Sequence, residues 1–155
     1  MSFAITGLAP AEFASLAGLT DDALAAHGVI RRIADKKPGY PCRITLEDAE
    51  PGESVLLLNY ESHSAPTPYR SAYAIYVREA AKEARVYVDE IPPVFRGRPL
   101  AFRHFDESGM LVGASLIADG AVKAAIARAF DDPSTSYIDA HNAAHGCFAA
   151  RINRA

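Results

Sequence analysis

The chain has no tryptophan, two methionines and only two cysteines in 155 residues. Two cysteines, Cys42 and Cys147, are too few for the disulfide framework of a small secreted scaffold. Met1-Ser2-Phe3 offers neither the basic flank nor the apolar stretch of an export signal, so reduced thiols in a cytoplasm are expected. No apolar run approaches the roughly 18 residues of a spanning helix, so no membrane partner is expected. Basic excess is also missing. Sixteen Lys and Arg stand against nineteen Asp and Glu, for a net charge of -3. Residues 1–77 carry six basic and nine acidic groups and residues 78–155 ten of each, so neither half is built to neutralise a nucleic-acid backbone. Three glycine signatures are absent: the dinucleotide Gly-x-Gly-x-x-Gly, the phosphate loop Gly-x-x-x-x-Gly-Lys and the nucleophile elbow Gly-x-Ser-x-Gly. No cofactor is implied.

What is present suits one ordinary globular domain over residues 1–155: half the residues are hydrophobic and 23% are charged. Proline and glycine punctuate the chain at Pro38-Gly39, Pro51-Gly52, Pro66 with Pro68, Pro92-Pro93, Gly97 with Pro99, and Pro133. Between them the segments read as strands. Cys42 to Leu46 alternates apolar and polar, the pattern of a strand with one buried face. Val55 to Leu58 is unbroken and apolar, as in a strand covered on both sides. Ala72 to Val77 is aromatic and β-branched. Leu100–Phe105 and Leu111–Ile117 flank Asp106-Glu107-Ser108-Gly109, a hairpin signal. Tyr137–His141 and Cys147–Ile152 follow, with Phe3–Thr6, Val29–Ala34 and Val86–Val88 as shorter strands.

Helices are fewer. Thr20 is placed to cap a short helix through Leu24, stopped by Gly28. A longer helix from about Gly120 to Phe130 has Asp119 as its cap and Val122, Ile126, Ala129 and Phe130 as its apolar face. Arg78 to Arg85 is rich in helix formers and is expected to make two turns. The fold class is therefore α+β, a largely antiparallel sheet of short strands with two or three helices packed on it.

Several blocks occur in order: Pro38-Gly39-Tyr40-Pro41-Cys42-Arg43, Leu46-Glu47-Asp48-Ala49 with Gly52-Glu53, and Leu56-Leu57-Leu58-Asn59-Tyr60. Thr67-Pro68-Tyr69-Arg70, Ile75-Tyr76-Val77-Arg78-Glu79 and Gly146-Cys147-Phe148-Ala149-Ala150-Arg151 continue them. Together they resemble a bacterial family of similarly short proteins, domain of unknown function 1203. The likeness spans the chain and implies a single domain; it implies no activity. Ile75-Tyr76-Val77 stands where that family is expected to carry a Pro-Ile-Phe-Val-like stretch.

Three constellations carry chemistry. In the first, His141, His145 and Cys147 have zinc-compatible donors, but no fourth ligand is evident and Asn142-Ala143-Ala144 and Gly146 read as a turn, so no metal is expected. The second is a thiol nucleophile, Cys147, with His141 as its base and Asp139 orienting the ring. Cys42, on the apolar side of its alternating segment, reads instead as a core residue. The third is cationic and aromatic. The stretch Asn59 to Arg70 is long for a hairpin connection, and Arg70, with Arg43 and Arg151 brought in by the fold, has the paired N–H donors that grip a carboxylate or phosphate. The leading expectation is a pocket for a small anionic metabolite lined by Arg43, Tyr69, Arg70, His141 and Arg151, with Cys147 nearby. Its alternatives are a protein-interaction module or homo-oligomer using the Tyr60–Arg70 loop or a free sheet edge, and a thiol-dependent enzyme using Cys147 and His141.

Overall fold

Two antiparallel sheets hold most of the regular structure in the computed structural model, which describes residues 1–155. In chain order the strands are β1 (Phe3–Thr6), β2 (Ile30–Ile33), β3 (Ser54–His63), β4 (Ser71–Arg78), β5 (Val86–Val88), β6 (Leu100–Phe105), β7 (Leu111–Ile117), β8 (Tyr137–Asn142) and β9 (Phe148–Arg154). The two helices are α1 (Asp21–Ala26) and α2 (Val122–Asp131). Six strands form the larger sheet, ordered β5-β1-β9-β8-β6-β7, and three form the smaller, ordered β2-β3-β4. No helix is long and apolar enough to cross a membrane.

Each sheet has its own core. The α2 face of Val122, Ile126, Ala129 and Phe130 lies against Ile5, Leu100, Phe102, Ile138 and Ile152 of the larger sheet. Leu56, Leu58, Ile75 and Val77 of the smaller sheet pack with Phe13, Leu24 of α1, and Val29. Burying one branched or aromatic side chain stabilises by roughly 1.5–3 kcal/mol, so these clusters supply the main driving force for both layers. The Thr20 hydroxyl accepts from the Ala23 N–H as an N-cap, and Gly28 ends the helix at φ 70°.

Four expectations need correction. Cys42 to Leu46 is not a strand: Pro41 and Cys42 make isolated bridges to Asp48 and Tyr76, and a turn follows. Its alternation has another cause, because Cys42 and Ile44 bury in the smaller sheet's core and Leu46 in the larger sheet's. The segment is wedged between two cores, and Leu46 adopts φ 55° to reach its side. Arg78 to Arg85 forms no helix. The Arg78 side chain is bound to Glu53, and Glu79 to Arg31, Ser54 and the Gly18 N–H; Arg85 then exchanges backbone bonds with Ile44 and Gly7. The helical complement is thus two, of which only α2 is longer than two turns. Third, Asp119 does not cap α2; its carboxylate accepts from the Gly97 N–H, and the N-cap residue is Ala121. Fourth, the Asn59–Arg70 connection is shorter than expected, because β3 continues to His63, whose ring stacks on Phe105 at 4.1 Å.

Glycine is required at Gly7, where a Cβ would lie 1.9 Å from the Ile44 carbonyl oxygen. There the chain leaving β1 runs directly against the Arg43–Ile44 turn, with the Leu8 N–H donating to the Arg43 carbonyl. Cys42 secures the other side of the turn. Its fully buried sulfur accepts from the backbone N–H groups of Ile44, Thr45 and Arg78 at 3.4, 3.5 and 3.2 Å. Cys42→Ala leaves those donors without an acceptor and opens a small void, and is expected to lower the unfolding free energy by roughly 2–3 kcal/mol. Urea titration followed by circular dichroism measures it; an unchanged midpoint would remove the turn-anchoring role.

Candidate functional site

The turn anchored by Cys42 sends the Arg43 side chain toward the larger sheet. Its Nε donates to the Phe148 carbonyl at 2.8 Å, one terminal nitrogen to the Pro41 carbonyl at 2.6 Å, and the other to Cys147 Sγ at 3.3 Å. Arg43 is 3% exposed and has no carboxylate partner. Burial pushes its pKa down, which the neighbouring Cys147 opposes. A guanidinium has five N–H donors and three are used here, so two remain unpaired.

Above this guanidinium lies a cleft of about 700 Å³. Tyr73, Ala74, Tyr76 and Leu57 of the smaller sheet form one wall, and the Asn142–Cys147 turn with Pro99 forms the other. Arg43, Arg98 and His145 also line it, and none of its fifteen lining residues is Asp or Glu. Arg98 is bound in turn by the Asp48 carboxylate, at 2.7 and 3.0 Å. Cys147 is partly buried and accepts a second N–H, from the Asn142 amide at 3.3 Å.

Behind the cleft the two sheets meet across polar side chains. Ile138 and Ala140 of β8 enter the α2 core, so Asp139 and His141 face the other way. A bulge at Ala149 in β9, where His141 pairs with Phe148 and Ala140 with Ala150, places Phe148 and Arg151 on that same face. Asp139 takes Arg151 through two bonds of 2.7 and 3.0 Å, and the Arg151 guanidinium lies 4.4 Å from the Tyr137 ring centroid. The Tyr137 hydroxyl and His63 Nε2 are 2.7 Å apart. Arg103 donates to the Tyr73 hydroxyl, and Tyr73 meets His141 edge-on.

The residues named from the sequence therefore occupy three places. Arg43 and Cys147 meet in the cleft. His141 and Arg151 lie in the polar layer between the sheets; His141 is buried beside Phe148, and Arg151 is held by Asp139. Tyr69 and Arg70 sit on the β3–β4 connection, with Tyr69 against Phe105 and Arg70 bound to Glu61. The fold does not gather Arg43, Arg70 and Arg151 around one hollow. It also makes no hydrogen bond between His141 and Cys147, because His141 Nδ1 faces the Gly146 carbonyl at 2.9 Å. No three His, Cys, Asp or Glu side chains converge as a metal site. Sequence reasoning missed Tyr73, Tyr76, Arg98 and Asn142 as cleft residues.

A family model described as "Protein of unknown function (DUF1203)" matches residues 39–154, a span that includes every residue lining the cleft. No curated protein and no solved structure matches the chain.

A carbonyl can only accept, so His141 Nδ1 carries the proton in that bond and Nε2 the lone pair. Burial pushes the His141 pKa down from 6.5 to about 4, with Arg103 and Arg43 acting in the same direction. Between these values the unfolded chain binds a proton that the folded protein does not. His141 is thus without penalty above pH 6.5, and stability falls as the pH drops toward 4. From pH 7 to 5 this amounts to roughly 2 kcal/mol, and His141→Asn, whose amide can still donate to Gly146, is expected to remove that part of the slope. Urea unfolding at both pH values tests it; equal slopes in the two proteins would contradict the assignment.

Proposed function

We propose that this chain, which belongs to the DUF1203 family, binds a small organic anion of the carboxylate class in the cleft over Arg43. The observation that carries the reading is a buried guanidinium with two unpaired N–H donors and no carboxylate partner, beneath walls without acidic side chains. A buried charge is costly unless it is paired, and a carboxylate accepting two N–H bonds supplies both the charge and the geometry. Tyr73, Tyr76, Leu57 and Pro99 suit the apolar body of such a ligand. Arg98 and His145 at the walls add N–H donors, although Arg98 is already shared with Asp48. Cys147 lies where the bound anion would cover it.

A step using the Cys147 thiol with His141 as base has less support, since the two side chains are not hydrogen-bonded and His141 is turned to Gly146. Self-association is the second reading, and it rests on the free sheet edges. Leu116 of β7 is 77% exposed, and Ile30 and Ile33 of β2 and Val86 and Val88 of β5 are also exposed. Sedimentation across a concentration series tests it, and a single monomeric species throughout would remove it.

For the anion reading, acetate and succinate are expected to slow alkylation of Cys147 by iodoacetamide and to shift cleft amide resonances in a saturable manner. Ala144 is exposed at the cleft wall, so Ala144→Glu adds a repelling charge without disturbing either core. It is expected to weaken both effects by roughly fivefold at low salt. Arg43→Met is expected to abolish them. Saturation that is unchanged in Ala144→Glu, or absent in the native protein, overturns the proposal.

A further inference from the structure

The wall opposite the Asn142–Cys147 turn is the side of a strand. β4 is an edge strand of the smaller sheet, bonded on one side to β3. Its other side is only half closed. The Arg43 N–H donates to the Tyr76 carbonyl, the Arg78 N–H points to Cys42 Sγ, and Cys42 pairs with Tyr76 in parallel orientation. Along a strand, N–H and C=O groups of alternate residues point to the same side. Ala74, two positions before Tyr76, therefore turns both its backbone groups away from β3, toward the side that the Cys42–Arg43 turn closes further along. No element of the fold pairs with them there: the parallel pairing stops at Cys42, and the preceding chain turns instead to the Glu47–Ala49 segment, where the Tyr40 carbonyl accepts from the Ala49 N–H and the Gly39 N–H donates to the Asp48 carboxylate. Ala74 is exposed and lines the cleft with Gly39, Pro41 and Arg43.

We infer that the cleft takes the C-terminal end of an extended peptide, added parallel to β4 along Ala74, with its terminal carboxylate on Arg43. The inference rests on the anion reading and narrows its ligand. Main-chain pairing to an open edge supplies affinity that tolerates varied side chains. Direction follows from charge and from the chain already in place. An added strand in line with Pro41–Arg43 must end where that segment begins. A parallel strand ends there with its carboxylate, whereas an antiparallel one would bring its amino terminus against the Arg43 guanidinium. Arg43 folds back over the Pro41 carbonyl, so its unpaired donors lie at that end of the free edge. The absence of any carboxylate in the walls fits the same direction.

The test uses the full chain, amide-resolved NMR titration and three probes: acetyl-Ala-Ala-Ala with a free carboxylate, the same peptide as its C-terminal amide, and acetate. The free acid is expected to bind at least tenfold more tightly than either of the others and to move the Ala74 amide resonance. Ala74→Pro deletes the edge donor on the side away from β3, where proline is tolerated. It is expected to lower peptide affinity about fivefold, from the loss of one hydrogen bond, and to leave acetate unaffected. Methylating the peptide amides should produce the same loss in the native protein, which keeps the test independent of how the variant folds. If acetate and the peptide acid bind equally, or N-methylation changes nothing, the peptide inference fails and the anion reading stands. If neither acetate nor peptide binds, both fail.

Discussion

One buried cation connects the two halves of this fold. Arg43 belongs by its backbone to the turn that closes the smaller sheet, and its guanidinium ends on the Phe148 carbonyl at the start of β9 in the larger one. Arg31, Arg78, Arg98 and Arg151 each meet a carboxylate, and three of those four remain about a fifth exposed. Arg43 is deeper than any of them and is met by two carbonyls and a sulfur. Neutral acceptors satisfy individual N–H groups without cancelling the charge, so the desolvation cost is only partly offset. The Cys42 sulfur, the Gly7 close approach and the positive φ of Leu46 all hold the turn that aims this guanidinium.

The layer between the sheets follows the same logic with the opposite outcome. Two sheets facing each other ordinarily interdigitate apolar side chains. Here Asp139 is 1% exposed, and Arg151 answers it in a two-bond pair whose open face is covered by the Tyr137 ring. That pair is complete, with charge and hydrogen bonds matched within the chain, so it has little left to offer a ligand. His141 is kept neutral by its surroundings and committed through Nδ1 to Gly146. The Asp139–Arg151 pair is matched in charge, and the Arg43 guanidinium at the cleft is not.

Much of the fold was legible because it rests on local rules. The Asp106–Gly109 hairpin, the Thr20 cap, the α2 apolar face and the short strands at Phe3 and Val86 all stand where turn chemistry and periodicity place them. The failures come from long-range geometry. Alternation over Cys42 to Leu46 looks like one buried face, yet it arises from two cores on opposite sides of a turn. Helix formers between Arg78 and Arg85 are overruled by the ion pairs that fix Arg78 and Glu79 at the strand end. At the site, pairing Arg43 with Cys147 depends on a contact spanning 104 positions, which no sequence spacing announces. The turn read after Asn142 is present and separates His145 and Cys147 from His141, but the Ala149 bulge that shifts the register of β9 has no local signal. Tyr73 and Tyr76 stood in a segment read correctly as a strand, but nothing local says that this strand lies at an edge.

That edge is what separates the cleft from an ordinary surface depression. Open strand edges invite unwanted pairing, and folded proteins blunt them with short strands, charged residues or a covering segment. β5 is three residues long, and β2 carries Arg31 and Arg32. β4 is eight residues long, and from Ala72 to Val77 it contains no charged side chain. It is protected instead by position: Cys42 and Arg43 close its later half, and the Asn142–Cys147 turn stands across the earlier half, leaving a slot in place of an open flank. A wide, flat partner cannot reach an edge recessed in this way, whereas a single extended chain can. The steric arrangement that shields β4 is therefore the one that frames the cleft over Arg43.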